Sequence, residues 1–336
     1  RLEKNRAIWS SSTRDTKAER KRSMALLFGG YFRDIHDPDQ WRALFHRHLP
    51  DLEVREWPDG VGDPRDIEFT LIHDPAMGEL KRYPNLKAIF SFGAGIEKIM
   101  KDPEMPDGVP VVRLVSQELI DRMTEFVLYW VLHYHRDFHR YFAQERQAHW
   151  EKYRGPTTAE RRIGILGVGE LGTDAAEKLM ALGFDVAGWS RRAKSIKGME
   201  HFHGSDGLIP FLARTDILIC LLATTPATEG IINARVLAAL PKGAFVINPA
   251  RGAHVIDDDL IAAIDSDHIA GAALDVFHQE PLPAEHAFWR HPRITVTPHA
   301  GSWHSAEHAA EHVARNIRRI LDGKDPYPVV DPASGY

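Results

Sequence analysis

From Met24 onward the chain alternates short apolar runs with longer amphipathic ones. Met24–Phe28, Leu52–Glu56, Phe69–Ile72, Lys87–Phe90 and Val111–Leu114 are brief and read as strands. After the first, Asp37-Pro38 offers an N-cap and a first-turn proline, and Trp41, Leu44, Phe45 and His48 recur at helical spacing. This alternation predicts a parallel sheet with helices on both faces. A second block opens at Arg162, with strands expected at Ile163–Leu166, Asp185–Trp189, Asp216–Leu222, Ala244–Asn248, Ile269–Leu274 and Ile294–Thr297. Six such strands with helices between them predict a second doubly wound sheet, which binds ligands beyond the carboxyl ends of its strands.

Helices frame these blocks. Gln117 to about Trp150 lacks Pro and Gly and carries Leu128, Tyr129, Trp130, Leu132 and Tyr134 on more than one side. It reads as one long helix buried at a domain or subunit interface, which suggests a homodimer. A last helix, from about Trp303 to Leu321, follows the sixth strand and is free to return to the first sheet. The expected units are 24–122 plus 300–336, and 123–299.

Composition adds boundaries rather than detail. The 336 residues are 43% hydrophobic and 26% charged, an ordinary globular balance. Single cores stop growing near ~250–300 residues, so the length fits two domains. A net charge of −5 gives no support to nucleic-acid binding, and no apolar run approaches a membrane span. The single Cys220 reads as inert core packing and fits a reducing cytoplasm. Residues 1–23 differ, with eight Lys/Arg against three Asp/Glu and a run of Ser10-Ser11-Ser12. They are expected to be a leader or extension, disordered or loosely docked; a transit peptide is the alternative.

The second block opens on Gly167-Val168-Gly169-Glu170-Leu171-Gly172, a G-x-G-x-x-G between a strand and a helix. In that context the first glycine serves the tight turn, the second lets a pyrophosphate approach, and the third lets helix and strand pack. The phosphates would sit at a helix N-terminus, where free N–H groups favour anions. The next strand ends in Trp189-Ser190-Arg191-Arg192, then Lys194, with no carboxylate for a ribose 2′-OH. A hydroxyl and several cations suit a 2′-phosphate, so NADP(H) is expected, with NAD as the weaker alternative.

Three residues then stand in order: Arg251 in Asn248–Gly252, Glu280 in Glu280–Pro283 and His299 in Thr297–His299. A cation can grip the carboxylate of a 2-oxo acid and polarise its ketone. A histidine can move the proton, and a carboxylate can keep that histidine charged until it is needed. Together with the glycine turn, Leu222–Thr228 and Leu274–Phe277, these motifs resemble the D-isomer-specific 2-hydroxyacid dehydrogenases. Within that family the chain is similar to the bacterial glyoxylate/hydroxypyruvate reductase A group, from Phe92-Gly93-Ala94-Gly95 to the C-terminus.

The resemblance implies NADPH-dependent reduction of small 2-oxo acids in a cleft between two Rossmann-like/flavodoxin-like domains. It implies Arg251, Glu280 and His299 as the catalytic set. Leu222, Ala223, Thr224, Pro226, Thr228, Pro249, Ala250, Asp275 and His299 would line the cofactor beside the glycine turn. Asp275 would lie near the nicotinamide amide or, alternatively, cap a helix. Phe92, Gly93, Ala94 and Gly95 would face the substrate carboxylate. His73 and Trp303 depart from the group's pattern and would shape the pocket. Larger or phenyl-bearing 2-oxo acids are therefore an alternative, and so is a nucleotide-sensing binding protein of the same fold. His304, His308 and His312 share one face of the last helix at a spacing able to ligate zinc or nickel. No cysteine accompanies them, so packing or solvation is preferred and no metal is expected.

Overall fold

The computed structural model describes residues 24–29, 37–73, 75–93 and 95–330. The expectations for residues 1–23 and for Ala94 lie outside them. The first sheet holds β1 (Ala25–Gly29), β2 (Glu53–Glu56), β3 (Ile67–Ile72), β4 (Ala88–Ser91) and β5 (Val111–Val112), in the order β2-β1-β3-β4-β5. Every pair is parallel, and this is the flavodoxin-like order. On one face lies α1 (Pro38–His48), whose N-cap Asp37 accepts the Asp39 N–H at 2.9 Å. The single turn α2 (Glu97–Met100) follows β4.

The long helix expected from Gln117 is two: α3 (Gln117–His135) and α4 (Phe138–Arg146). The break is at Asp137, with φ of 57°. Aspartate tolerates this left-handed conformation better than most residues, so the chain turns without the Gly or Pro that sequence reading relies on. The inner side of α3 buries Met123, Val127, Trp130, Val131 and Tyr134 against the second sheet. Tyr134 stacks on Phe245 with ring centroids 4.3 Å apart.

That sheet contains β6 (Arg162–Leu166), β7 (Asp185–Ser190), β8 (Glu200–His203), β9 (Ile217–Cys220), β10 (Ala244–Asn248), β11 (Ile269–Leu274) and β12 (Ile294–Val296). Its order, β12-β11-β10-β9-β6-β7-β8, is the Rossmann winding plus one further strand, all parallel. Pattern reading missed β8 because Glu-His-Phe-His at a half-exposed edge offers a single apolar side chain. The intervening helices are α5 (Glu170–Ala181), α6 (Gly204–Ala213), α7 (Ala234–Ala239) and α8 (Asp257–Asp265).

The last helix, α9 (Ala306–Leu321), begins after its N-cap Ser305 rather than at Trp303. Its Ala309, Ala310, Val313, Ala314 and Ile317 are buried with Trp41, Leu44 and Phe45 in the first sheet's core, so the chain does return there. Among the described residues no helix is long and apolar enough to cross a membrane.

Candidate active site

Parallel strands point one way, so the loops leaving their carboxyl ends share an edge. His73 leaves β3, Phe92, Gly93 and Gly95 follow β4, and the glycine turn leaves β6. Ser190 ends β7, Leu222 follows β9, and Arg251, Asp275 and His299 follow β10, β11 and β12. The sequence-expected site residues therefore converge on the edges where open α/β sheets hold ligands.

The three glycines of the turn play distinct parts. Gly167 has φ of 98°, and a Cβ there would lie 2.6 Å from the Leu221 carbonyl oxygen. At Gly172 a Cβ would lie 2.1 Å from the Gly167 carbonyl oxygen, so helix and strand pack only on a bare Cα. Gly169 meets nothing within 4 Å. Its exposed backbone N-caps α5, leaving a cradle that a Cβ would fill and a phosphate can enter. Val168 is buried, and its carbonyl accepts a hydrogen bond from Lys194 Nζ. Glu170, in the first turn of α5, accepts the Tyr327 O–H at 3.0 Å. Leu171 packs at the edge of the core between α3 and the sheet.

The turn after β7 is cationic, with Arg191 and Arg192 exposed. Trp189 corrects an expectation. Its indole is buried in the core and donates to the Gly204 carbonyl at 2.9 Å, so only its backbone, which accepts the Gly167 N–H, reaches the cofactor side. Ser190 Oγ bonds the Arg192 carbonyl at 2.8 Å and His201 Nε2 at 2.8 Å. Beyond β9, Thr228 Oγ1 donates to the Ala223 carbonyl at 2.7 Å and accepts the Thr225 N–H at 2.8 Å, which shapes the loop from Leu222 past Pro226. Thr224 Oγ1 is buried with no hydrogen-bond partner among the described residues. A polar atom in that state suits an ordered polar ligand. The open glycine, the cations and this hydroxyl fit a phosphorylated dinucleotide.

Arg251, Glu280 and His299 stand in the segments after β10, β11 and β12. His299 Nδ1 lies 2.7 Å from Glu280 Oε2. Glu280 also accepts the Phe277 N–H at 2.9 Å through Oε1. Burial pushes its carboxyl up, but the bonds from His299 and Phe277, with the charges of His299 and Arg251, outweigh that and hold it below the usual carboxylate range. His299 itself sits at φ of 51°, and its N–H donates to the Asp275 carbonyl at 2.8 Å. A non-glycine residue there is held against roughly 1–2 kcal/mol of strain, which is common at functional sites.

Asp275 is what holds that loop. Buried, it accepts the Thr297 hydroxyl at 2.5 Å and the Ala300 and Gly301 N–H groups at 2.9 and 2.8 Å. No helix starts there, so the capping alternative fails. Both oxygens help to position the His299 loop.

Arg251 leaves β10 through Pro249 and the buried Ala250, whose carbonyl accepts Arg251 Nη1 at 2.6 Å. A Cβ on Gly95 would sit 1.6 Å from Arg251 Nη2, and one on Gly252 would sit 2.0 Å from the Phe277 carbonyl carbon. Arg251 Nε also lies 3.4 Å from Glu97 Oε1, a partner that sequence reading missed because nothing in Gly95-Ile96-Glu97 marks it.

Other expected substrate residues fare unevenly. The Phe92 ring belongs to the core, with centroids 5.4 Å from both Phe28 and Trp41, because the strand end that carries it faces inward. Gly93 accepts the Ser91 hydroxyl at 2.5 Å through its carbonyl. His73 is half-buried at the end of β3. Trp303 is exposed beneath the Arg122 guanidinium, 3.8 Å from ring centroid to cation. His304, His308 and His312 engage different partners: the Phe92 carbonyl, Ser305 with Glu118, and Asn316 with Arg315. Among the described residues no cluster of three ligating side chains could hold a metal.

The profile of the D-isomer specific 2-hydroxyacid dehydrogenase NAD binding domain matches residues 128–301, the stretch that carries the glycine turn, Arg251, Glu280 and His299. The chain belongs to the D-isomer specific 2-hydroxyacid dehydrogenase family. This 2-hydroxyacid dehydrogenase is 38% identical over 311 residues to glyoxylate/hydroxypyruvate reductase A of Serratia proteamaculans, covering 91% of this chain and 99% of that one. Among solved structures it superposes, at a TM-score of 0.89 and 40% identity, on a D-isomer specific 2-hydroxyacid dehydrogenase from Xanthobacter autotrophicus Py2 in complex with NADPH and MES; 94% of this chain and 100% of that one are covered. An NADPH-dependent glyoxylate/hydroxypyruvate reductase from Sinorhizobium meliloti, in complex with NADP and sulfate, aligns at a TM-score of 0.84 and 36% identity over 93% of this dehydrogenase and 99% of its own chain.

Proposed function

We propose that this protein reduces small 2-oxo acids, glyoxylate and hydroxypyruvate, to 2-hydroxy acids with NADPH. The observation that carries the reading is the His299–Glu280 pair at 2.7 Å on the edge it shares with Arg251. An ionised carboxylate can only accept, so Nδ1 carries the hydrogen in that bond and Nε2 is left to exchange a proton with substrate. Arg251 binds the substrate carboxylate with its fork and polarises the neighbouring ketone oxygen. Beside it, Gly95 lets the backbone close on the same carboxylate. His299 then delivers its proton to the ketone oxygen, and Glu280 stabilises the charged ring until it does. The dinucleotide, when bound, supplies the hydride. Gly167–Gly172 and α5 hold its phosphates, and Ser190, Arg191, Arg192 and Lys194 receive the 2′-phosphate. Relatives whose structures contain NADP or NADPH support that choice.

Replacing His299 with alanine tests the assignment. Turnover should fall at least about a thousandfold, within the range for a general acid, while NADPH affinity stays within about twofold. Equal loss of both would make the histidine structural.

The substrate-binding unit is read as 24–122 plus 300–336 and the dinucleotide unit as 123–299. Burial of Met123 against the second sheet and of α9 against the first supports those boundaries. Tyr129, Leu132, Phe138 and Phe142 leave an exposed apolar face on α3 and α4, which suits a homodimer. Sedimentation at micromolar concentration should give twice the chain mass, and a monomer would overturn it. The single buried Cys220 suits a cytoplasmic setting.

A further inference from the structure

The edge strand β8 places a histidine that the proposed chemistry does not use. His201 reaches from β8 toward β7, its strand neighbour, and touches the cationic turn at both ends. The Lys194 backbone N–H lies 3.3 Å from His201 Nδ1, and Ser190 Oγ lies 2.8 Å from His201 Nε2. A backbone N–H can only donate, so Nδ1 is the acceptor and the neutral ring carries its hydrogen on Nε2. That hydrogen goes to Ser190 Oγ, whose own proton is then committed to the Arg192 carbonyl at 2.8 Å. One directed chain, from Lys194 N–H through His201 and Ser190 to Arg192, closes the turn 190–194 onto the edge strand. Burial, with His203 and the Lys194 charge nearby, pushes the His201 ring below its ordinary value, so the neutral form this chain requires is favoured. Lys194 Nζ lands on the Val168 carbonyl, so its cation lies beside the phosphate turn while Arg191 and Arg192 stay exposed.

We propose that His201 is a positioning residue for cofactor choice, holding Ser190 and Lys194 in the geometry that receives a 2′-phosphate. The inference rests on the reading of the cofactor as NADP(H). Among the described residues the ring's hydrogen bonds go to Ser190 and Lys194, both in the turn after β7, so its effect falls on the 2′ position rather than on the parts that NADH and NADPH share.

The test is a fluorescence titration of NADPH and of NADH against the wild-type protein, His201→Ala and His201→Gln. Wild type should bind NADPH more tightly. His201→Ala should weaken NADPH by about tenfold, the scale of one charge-assisted contact, and leave NADH within about twofold. Retained NADH binding is also the control for folding. His201→Gln can still donate to Ser190 and should recover part of the NADPH affinity. A wild-type preference for NADPH that survives intact in His201→Ala overturns this inference alone. Equal weakening of both dinucleotides, or no rescue by glutamine, makes the ring merely structural. No NADPH preference in wild type overturns the cofactor reading and this inference with it.

Discussion

Glu280 is a carboxylate made hard to protonate by the histidine it serves. Its two oxygens are occupied by His299 and the Phe277 N–H, and Arg251 adds a favourable charge. A carboxyl whose native value lies below its unfolded value, about 4.3, stabilises the fold fully above that pH. The contribution is lost as pH falls through the native value. Glu280→Gln should therefore lower kcat by about a hundredfold or more at neutral pH and flatten the loss of stability below about pH 4. Thermal melts against pH, with rates at pH 7, check both. An unchanged kcat would mean that His299 needs no carboxylate. Arg251, Glu280 and His299 stand out in the sequence because each sits in a motif downstream of a strand. Glu97 and the three bonds to Asp275 were not, because they join loops that only the folded sheets bring together. The Phe92 and Trp189 rings misled for the opposite reason: their motifs lie at the site, but the strand alternation turns both side chains into the core.

The glycine turn makes two substitutions of the same size differ. A Cβ at Gly169 meets nothing, whereas one at Gly172 lands 2.1 Å from the Gly167 carbonyl oxygen. Gly169→Ala should keep its Tm and lose dinucleotide affinity, because the methyl fills the phosphate approach. Gly172→Ala should lose about 1–3 kcal/mol of stability, the usual cost of overpacking. Thermal denaturation with NADPH titration separates them; equal effects of the two variants on Tm would contradict the assigned roles. Most elements were readable from period and turn chemistry. Those missed had physical reasons: β8 is a polar edge, and the α3–α4 break rests on the left-handed conformation of Asp137.

At the scale of the whole molecule, two doubly wound sheets each lend residues to the proposed site. The second supplies Arg251, Glu280 and His299, and the first supplies Gly95 and Glu97. Contacts tie them: Arg251 with Glu97, and Tyr327 with Glu170. Two sheets, the returning α9 and a ligand edge could be read from the alternation of runs. The pairing across the cleft could not, since no local pattern encodes it. The central claim is a reaction, and initial rates test it most directly, with glyoxylate, hydroxypyruvate and phenylpyruvate each offered with NADPH and with NADH. The structure predicts rapid NADPH oxidation with the two small acids, slower turnover with NADH and little with phenylpyruvate. No turnover of either small acid with NADPH would contradict it.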